Sequence, residues 1–121
     1  MGWEVIFHPE FYMEFKELPD TLQDNLLAKA LVIEHFGPQL GRPHVDTLNG
    51  SKYRNMKELR LETIDGLWRV AFIFDPSRKA VFLIAGNKSG RHQSRFYETL
   101  IRKADHRYGE HLTNKKIKLL P

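Results

Sequence analysis

Trp3, Val5 and Phe7 alternate with Glu4, Ile6 and His8, the period-two pattern of a strand with one solvated face, closed by His8-Pro9. Phe11, Phe15 and Leu18 follow at near-helical spacing, and Pro19 stops that short helix. Asp20 with Gln23 has the spacing of a capping box, in which each side chain satisfies a free backbone N–H at a helix start. Leu22, Leu26, Ala30 and Ile33 then recur at helical spacing, with Leu27 and Leu31 widening the stripe. Gly37 stands where a left-handed C-cap belongs, and Pro38 prevents continuation. Residues 37–51, with their Gly and Pro punctuation, read as an ordered loop.

From Lys52 the period becomes two. Leu59 and Leu61 point one way, while Glu58, Arg60 and Glu62 point the other. Asp65-Gly66 is a short hairpin signal, because a type I′ turn needs positive φ at both central positions. As a two-residue loop it sets Glu62 opposite Arg69, Arg60 opposite Ala71 and Glu58 opposite Ile73. The return strand runs from Leu67 to Phe74, with Trp68, Val70, Phe72 and Phe74 on its richer apolar face. Asp75 to Arg78 turns the chain, and Val81 to Gly86 is a third meander strand. A last helix is expected from about Gln93 to Tyr108, with Phe96, Leu100 and Ala104 inward and Gly109 ending it. The order is β-α-α-β-β-β-α. This is an α+β class with a small, mostly antiparallel sheet and its helices packed on one face. A single domain spans residues 1–112, and residues 113–121 form a basic tail expected to be flexible.

The chain has 121 residues, of which 41% are hydrophobic and 28% charged, a globular rather than a disordered composition. Without cysteine, disulfides, thiolate zinc sites and thiol nucleophiles are excluded. No apolar run approaches a membrane span, and the N-terminus lacks a signal-peptide pattern, so a cytoplasmic protein with no membrane partner is expected. Charge is distributed unevenly. Residues 1–51 carry 3 Lys and Arg against 8 Asp and Glu, whereas residues 52–121 carry 16 against 7. The second half therefore offers a cationic surface to a polyanion.

Glu58, Arg60, Glu62 and Arg69 fall on one sheet face, and Lys88 returns to the same end. Cross-strand ion pairing on a solvated face would account for these residues. So would a phosphate-binding surface, with Arg60 and Arg69 forking onto a phosphodiester and Lys57 and Lys88 adding point charges. Arg54, Arg91 and Arg95 would extend it, and Tyr53, Phe96 or Tyr97 offer rings for stacking on an unpaired base. The six histidines form no metal-ligand spacing, so no metal site is expected; His92, among basic residues, suits a general acid or a phosphate donor. The Gly86 to Gly90 loop lacks nucleotide-triphosphate spacing.

Leu48-Asn49-Gly50-Ser51-Lys52, Lys57-Glu58-Leu59-Arg60, Trp68-Arg69-Val70-Ala71-Phe72, Leu83 to Lys88 and Ala104-Asp105-His106-Arg107 together resemble HigB-type toxins of the RelE superfamily, across roughly residues 3–112. The resemblance implies a RelE-like fold and a metal-independent, cofactor-free endoribonuclease that cuts mRNA in the ribosomal A site by 2′-OH attack. It implies a phosphate and transition-state contact at Arg69, phosphate binding or site ordering at Arg60, and leaving-group protonation at Lys88. Glu58 is then a base or an orienter of Arg60, Lys57 an alternative base, and Tyr97 a stacking ring. Arg54, Arg91, His92 and Arg95 remain RNA-binding candidates. A helix-turn-helix antitoxin of the HigA type is the implied partner, with operator DNA bound only through the complex. Glu10, Glu14, Glu17 and Asp24 offer it a docking side, or are simply solvated. A non-catalytic nucleic-acid-binding or antitoxin-binding homologue is the alternative.

Overall fold

In the computed structural model, which describes residues 2–64 and 66–119 and side chains through Asn114, His8 ends the first strand and caps the first helix. Its Nδ1 accepts the Glu10 N–H at 3.1 Å, and Pro9 occupies the first helical turn, where its missing N–H is harmless. The elements are β1 (Glu4–Phe7), α1 (Pro9–Phe15), α2 (Asp20–Phe36), a 3-10 turn (Gly37–Gln39), β2 (Val45–Thr47), β3 (Met56–Thr63), β4 (Gly66–Phe74), β5 (Lys79–Asn87) and α3 (Gln93–Leu119). They form one five-stranded sheet in the order β1-β5-β4-β3-β2, antiparallel except for β1 beside β5. The α+β class holds. No described helix is long and apolar enough to cross a membrane.

Several local expectations change. The strand placed from Lys52 starts at Met56, and β2 lies inside the segment read as loop, at three residues too short to show a period. The capping box does not form: Pro19 is the N-cap, and Gln23 Nε2 instead donates to the carbonyls of Leu18 (2.8 Å) and Lys16 (3.2 Å). Gly37 does end α2, at φ 59°, with the Trp3 indole packed where a Cβ would stand. Gly109, by contrast, lies inside α3. Tyr108 is buried against Tyr53 and Leu112 packs on the same cluster, and this burial outweighs the roughly 1 kcal/mol cost of a helical glycine.

The hairpin register moves by two residues. Thr63 pairs with Gly66, so the connection is residues 64 and 65, not Asp65-Gly66; Asp65 itself lies outside the described residues. Glu58 now faces Ala71, Arg60 faces Arg69, and Glu62 faces Leu67. An even shift keeps every side chain on its expected face.

The largest correction concerns the helices, which cover both faces of the sheet rather than one. On one side Phe11 and Phe15 of α1 and Leu22, Leu26 and Ile33 of α2 pack on Leu59, Leu61, Val70, Phe72 and Phe82. On the other, Phe96, Leu100, Ala104 and Tyr108 of α3 pack on Met56, Ala71, Ile73, Val81 and Leu83. The central strands β4 and β5 are apolar on both faces, and neither could be left in water.

One irregularity aims the end of β5. Ala71 pairs with Ile84 but Phe72 with Phe82, leaving Leu83 as an extra residue. Leu83 and Ile84 therefore both pack with the α3 cluster, while Ala85 packs with the other. Gly86 follows on the α3 side; a Cβ there would stand 2.9 Å from the Phe96 ring. That close approach seats the start of α3, and with it Tyr97, over the strand end.

Candidate active site

Alternation along β3 turns Glu58 and Arg60 toward the α3 face, beside Arg69 of β4. Glu58 is buried, and each of its oxygens has a partner. Oε2 accepts from Arg60 Nε (3.3 Å) and Nη2 (3.2 Å); Oε1 accepts the Tyr97 hydroxyl at 2.7 Å and lies 3.9 Å from Arg69 Nε. Arg69 is only 6% exposed. Its Nη1 donates to the Trp68 carbonyl at 3.1 Å, while its buried Nε has no hydrogen-bond partner. Lys88, past the bulge, sets its Nζ 5.6 Å from the centre of the Tyr97 ring. Its backbone N–H is fixed by the Leu67 carbonyl at 2.7 Å.

Glu58, Arg60, Arg69, Lys88 and Tyr97 thus meet at one end of one sheet face, three from strands, Lys88 from the residue after β5 and Tyr97 from α3. Burial, and then the bond to the Glu58 carboxylate, raise the pKa of the Tyr97 phenol. It therefore stays protonated and donating at neutral pH. Tyr97→Phe is expected to lower stability by roughly 1.5–2 kcal/mol, because it deprives a buried carboxylate of a donor while keeping the ring beneath Lys88. Urea unfolding measures this; an unchanged midpoint would mean that Glu58 does not depend on the phenol.

The remaining candidates do not join this group. Lys57 alternates with Glu58 onto the opposite face, where its Nζ is 3.5 Å from Thr47 Oγ1 and the side chain borders Trp3 and Phe74. Arg54 is exposed in the turn before β3. Arg91 and His92 are exposed in the loop before α3, His92 with its ring 3.0 Å from Ser94 Oγ, and Arg95 is exposed on the first turn of α3. These three lie near the Lys88 end as an outer basic rim. Among the described residues no group of three or more His, Asp or Glu is placed to hold a metal ion.

Asp46 is a site neighbour that the sequence did not reveal. It sits on β2 directly opposite Glu58, and like charges so placed repel. Arg60 Nη2 lies between them, 3.3 Å from Asp46 Oδ2 and 3.2 Å from Glu58 Oε2. Arg42 Nε adds a second donor to Asp46 at 3.0 Å. The Thr47 N–H and then Arg42 hold the Asp46 carboxyl below its usual range. The pattern that could have shown this residue is three residues long, too short for alternation to be read.

The arrangement offers three cations and a phenol around one carboxylate, a site for a phosphate with an acid–base pair beside it. The family described as phage-derived protein Gp49-like matches residues 13–109. A Mycobacterium tuberculosis protein named as toxin HigB3 is 45% identical over 103 residues, covering 85% of this chain and 88% of that one. Another from the same organism, named as toxin HigB2, is 48% identical over 82 residues; the match covers 67% of this chain but 40% of that longer protein. A free-state structure of an arginine-substituted Escherichia coli toxin RelE superposes with a TM-score of 0.58 over 84% of this chain and 97% of that one, at 14% identity, a likeness of fold.

Proposed function

The chain belongs to the Gp49-like family of HigB-type toxins in the RelE superfamily, and on that premise we propose that it is the toxin of a type II toxin–antitoxin pair, cleaving mRNA in the ribosomal A site. The observation that carries the chemistry is the convergence of Glu58, Arg69 and Lys88 around a buried guanidinium whose Nε has no hydrogen-bond partner. A ribose 2′-oxygen attacks the adjacent phosphorus and the bond from phosphorus to the 5′-oxygen breaks, leaving a 2′,3′-cyclic phosphate and a free 5′-hydroxyl. The 2′-OH proton passes to Glu58 Oε1, where the substrate hydroxyl replaces the neutral Tyr97 phenol; Oε2 stays on Arg60. Arg69 donates to the oxygens that gain negative charge at phosphorus, and Lys88 supplies the proton to the departing 5′-oxygen. These steps use only the chain's own side chains.

The rim of Arg91, His92 and Arg95 would grip neighbouring phosphates. The proposed protein partner is a helix-turn-helix antitoxin of the HigA type, through which the pair would reach operator DNA. Expression of the wild-type chain is expected to arrest growth. In a reconstituted translation reaction it is expected to produce mRNA fragments ending in cyclic phosphate only when ribosomes are present. Intact mRNA at toxin concentrations that saturate the ribosomes would overturn the enzyme reading; binding without cleavage would leave a nucleic-acid-binding homologue.

A further inference from the structure

We propose that the cleft between α2 and the open end of β3 and β4 is a second phosphate subsite, holding a phosphodiester of the same RNA strand next to the scissile one. This inference rests on the catalytic reading above. The cleft measures about 410 Å³ and is lined by Lys29 and Asn25 of α2, His44, and Arg60, Glu62 and Arg69 of the hairpin. That volume lies within the usual range for small-molecule sites, roughly 300–1,000 Å³.

Its donors are already arranged. Lys29 Nζ lies 2.8 Å from His44 Nδ1. An ammonium has no lone pair, so Nδ1 must accept, and the ring proton then resides on Nε2 as a further donor. Arg60 engages Nε and Nη2 with Glu58 and Asp46, and its Nη1 makes no hydrogen bond among the described residues. Arg69 is nine-tenths buried and also borders the cleft, while its Nε, 3.9 Å from Glu58 Oε1, belongs to the catalytic group.

The register adds an independent argument. Arg60 and Arg69 are directly paired across β3 and β4, an arrangement in which like charges destabilise each other. Glu58 lies against both arginines, and Asp46 against Arg60 as well. Among the described residues that line the cleft, Glu62, an exposed side chain, is the one carboxylate set against Lys29, Arg60 and Arg69. An anion is the complementary occupant. Because Arg60 and Arg69 also border the catalytic group, a single strand can place consecutive phosphates in the two positions.

The test is fluorescence anisotropy with a labelled hexanucleotide methylated at every 2′-oxygen, which cannot perform the attack. Lys29→Ala combined with His44→Ala is expected to weaken binding about tenfold at low salt and to reduce the slope of log K against log salt by about 0.7, the value for one lost cation on a single strand. Lys16→Ala, which removes a surface lysine lying over Tyr12, should bind like wild type. Lys29→Gln, a single change at a half-buried position, takes the place of the double variant if that one fails to fold. Unchanged binding in the Lys29 variants, an equal loss in Lys16→Ala, or no binding by wild type would overturn the subsite. The translation reaction is read separately. Cleavage by wild type with unaltered oligonucleotide binding in the variants removes the subsite alone, whereas the expected binding loss with uncleaved mRNA removes the catalytic reading alone.

Discussion

Arg69→Ala is expected to lower the rate of mRNA cleavage in a translation reaction by about a hundredfold to a thousandfold, the usual loss when a preorganised donor to a developing anion is removed. Its burial is the reason for so large an effect. A guanidinium that is 6% exposed acts where the effective dielectric is low, and it needs no rearrangement when charge builds at phosphorus. Growth arrest should disappear with it. Arg69→Lys should recover only part of the rate, because a point charge cannot reproduce the fork. Stability should change little in the alanine variant: Glu58 keeps Arg60 and Tyr97, and a buried N–H without a partner is lost. Cleavage within threefold of wild type would show that Arg69 does not meet the reacting phosphate.

The second large effect is on folding. Arg107 of α3 is buried and makes a bidentate pair with Glu14 of α1, at 2.8 and 2.5 Å, while Nη1 also donates to the Leu83 carbonyl at 2.7 Å. Glu10 lies 3.3 Å from its Nη2. Arg107 thus ties a helix on one face of the sheet to a helix on the other, past the β1 edge. Arg107→Ala is expected to reduce the unfolding free energy by roughly 2–4 kcal/mol. The Leu83 carbonyl loses its donor in the core, whereas Glu14 is half exposed and can turn to water, which keeps the loss below that of a fully buried pair. Urea denaturation followed by circular dichroism measures it; a change under 1 kcal/mol would show that the three-element tie contributes little. The same geometry revises the role of the acidic first half. Glu10 and Glu14 are partners of α3 rather than a free docking side.

Much of the site was legible because it depends on parity. Glu58, Arg60 and Arg69 stay on one face whether the hairpin closes at Asp65-Gly66 or one position earlier, since a shift of two preserves alternation. The contrast with Lys57 shows the same rule from the other side: adjacent to Glu58 in sequence, it must face away from it. Asp46 and the Lys29–His44 pair were not legible. They come from a three-residue strand, a helix surface and a loop, each without a periodic signal, and only folding sets them beside β3.

The amino-acid pattern by itself determined the α+β class, the strand–helix order apart from β2, and which polar side chains of β3 and β4 share a face, because alternation and helical spacing are local properties of the chain. Tertiary structure decided what covers that face and where Lys88 points. The pattern left the second face of β4 and β5 as apolar as the first, so α3 must pack there, bringing Tyr97 onto Glu58. The extra residue at Leu83 turns the end of β5 toward the same side. A bulge and a choice of helix face are set by packing between distant segments, and no local period records them.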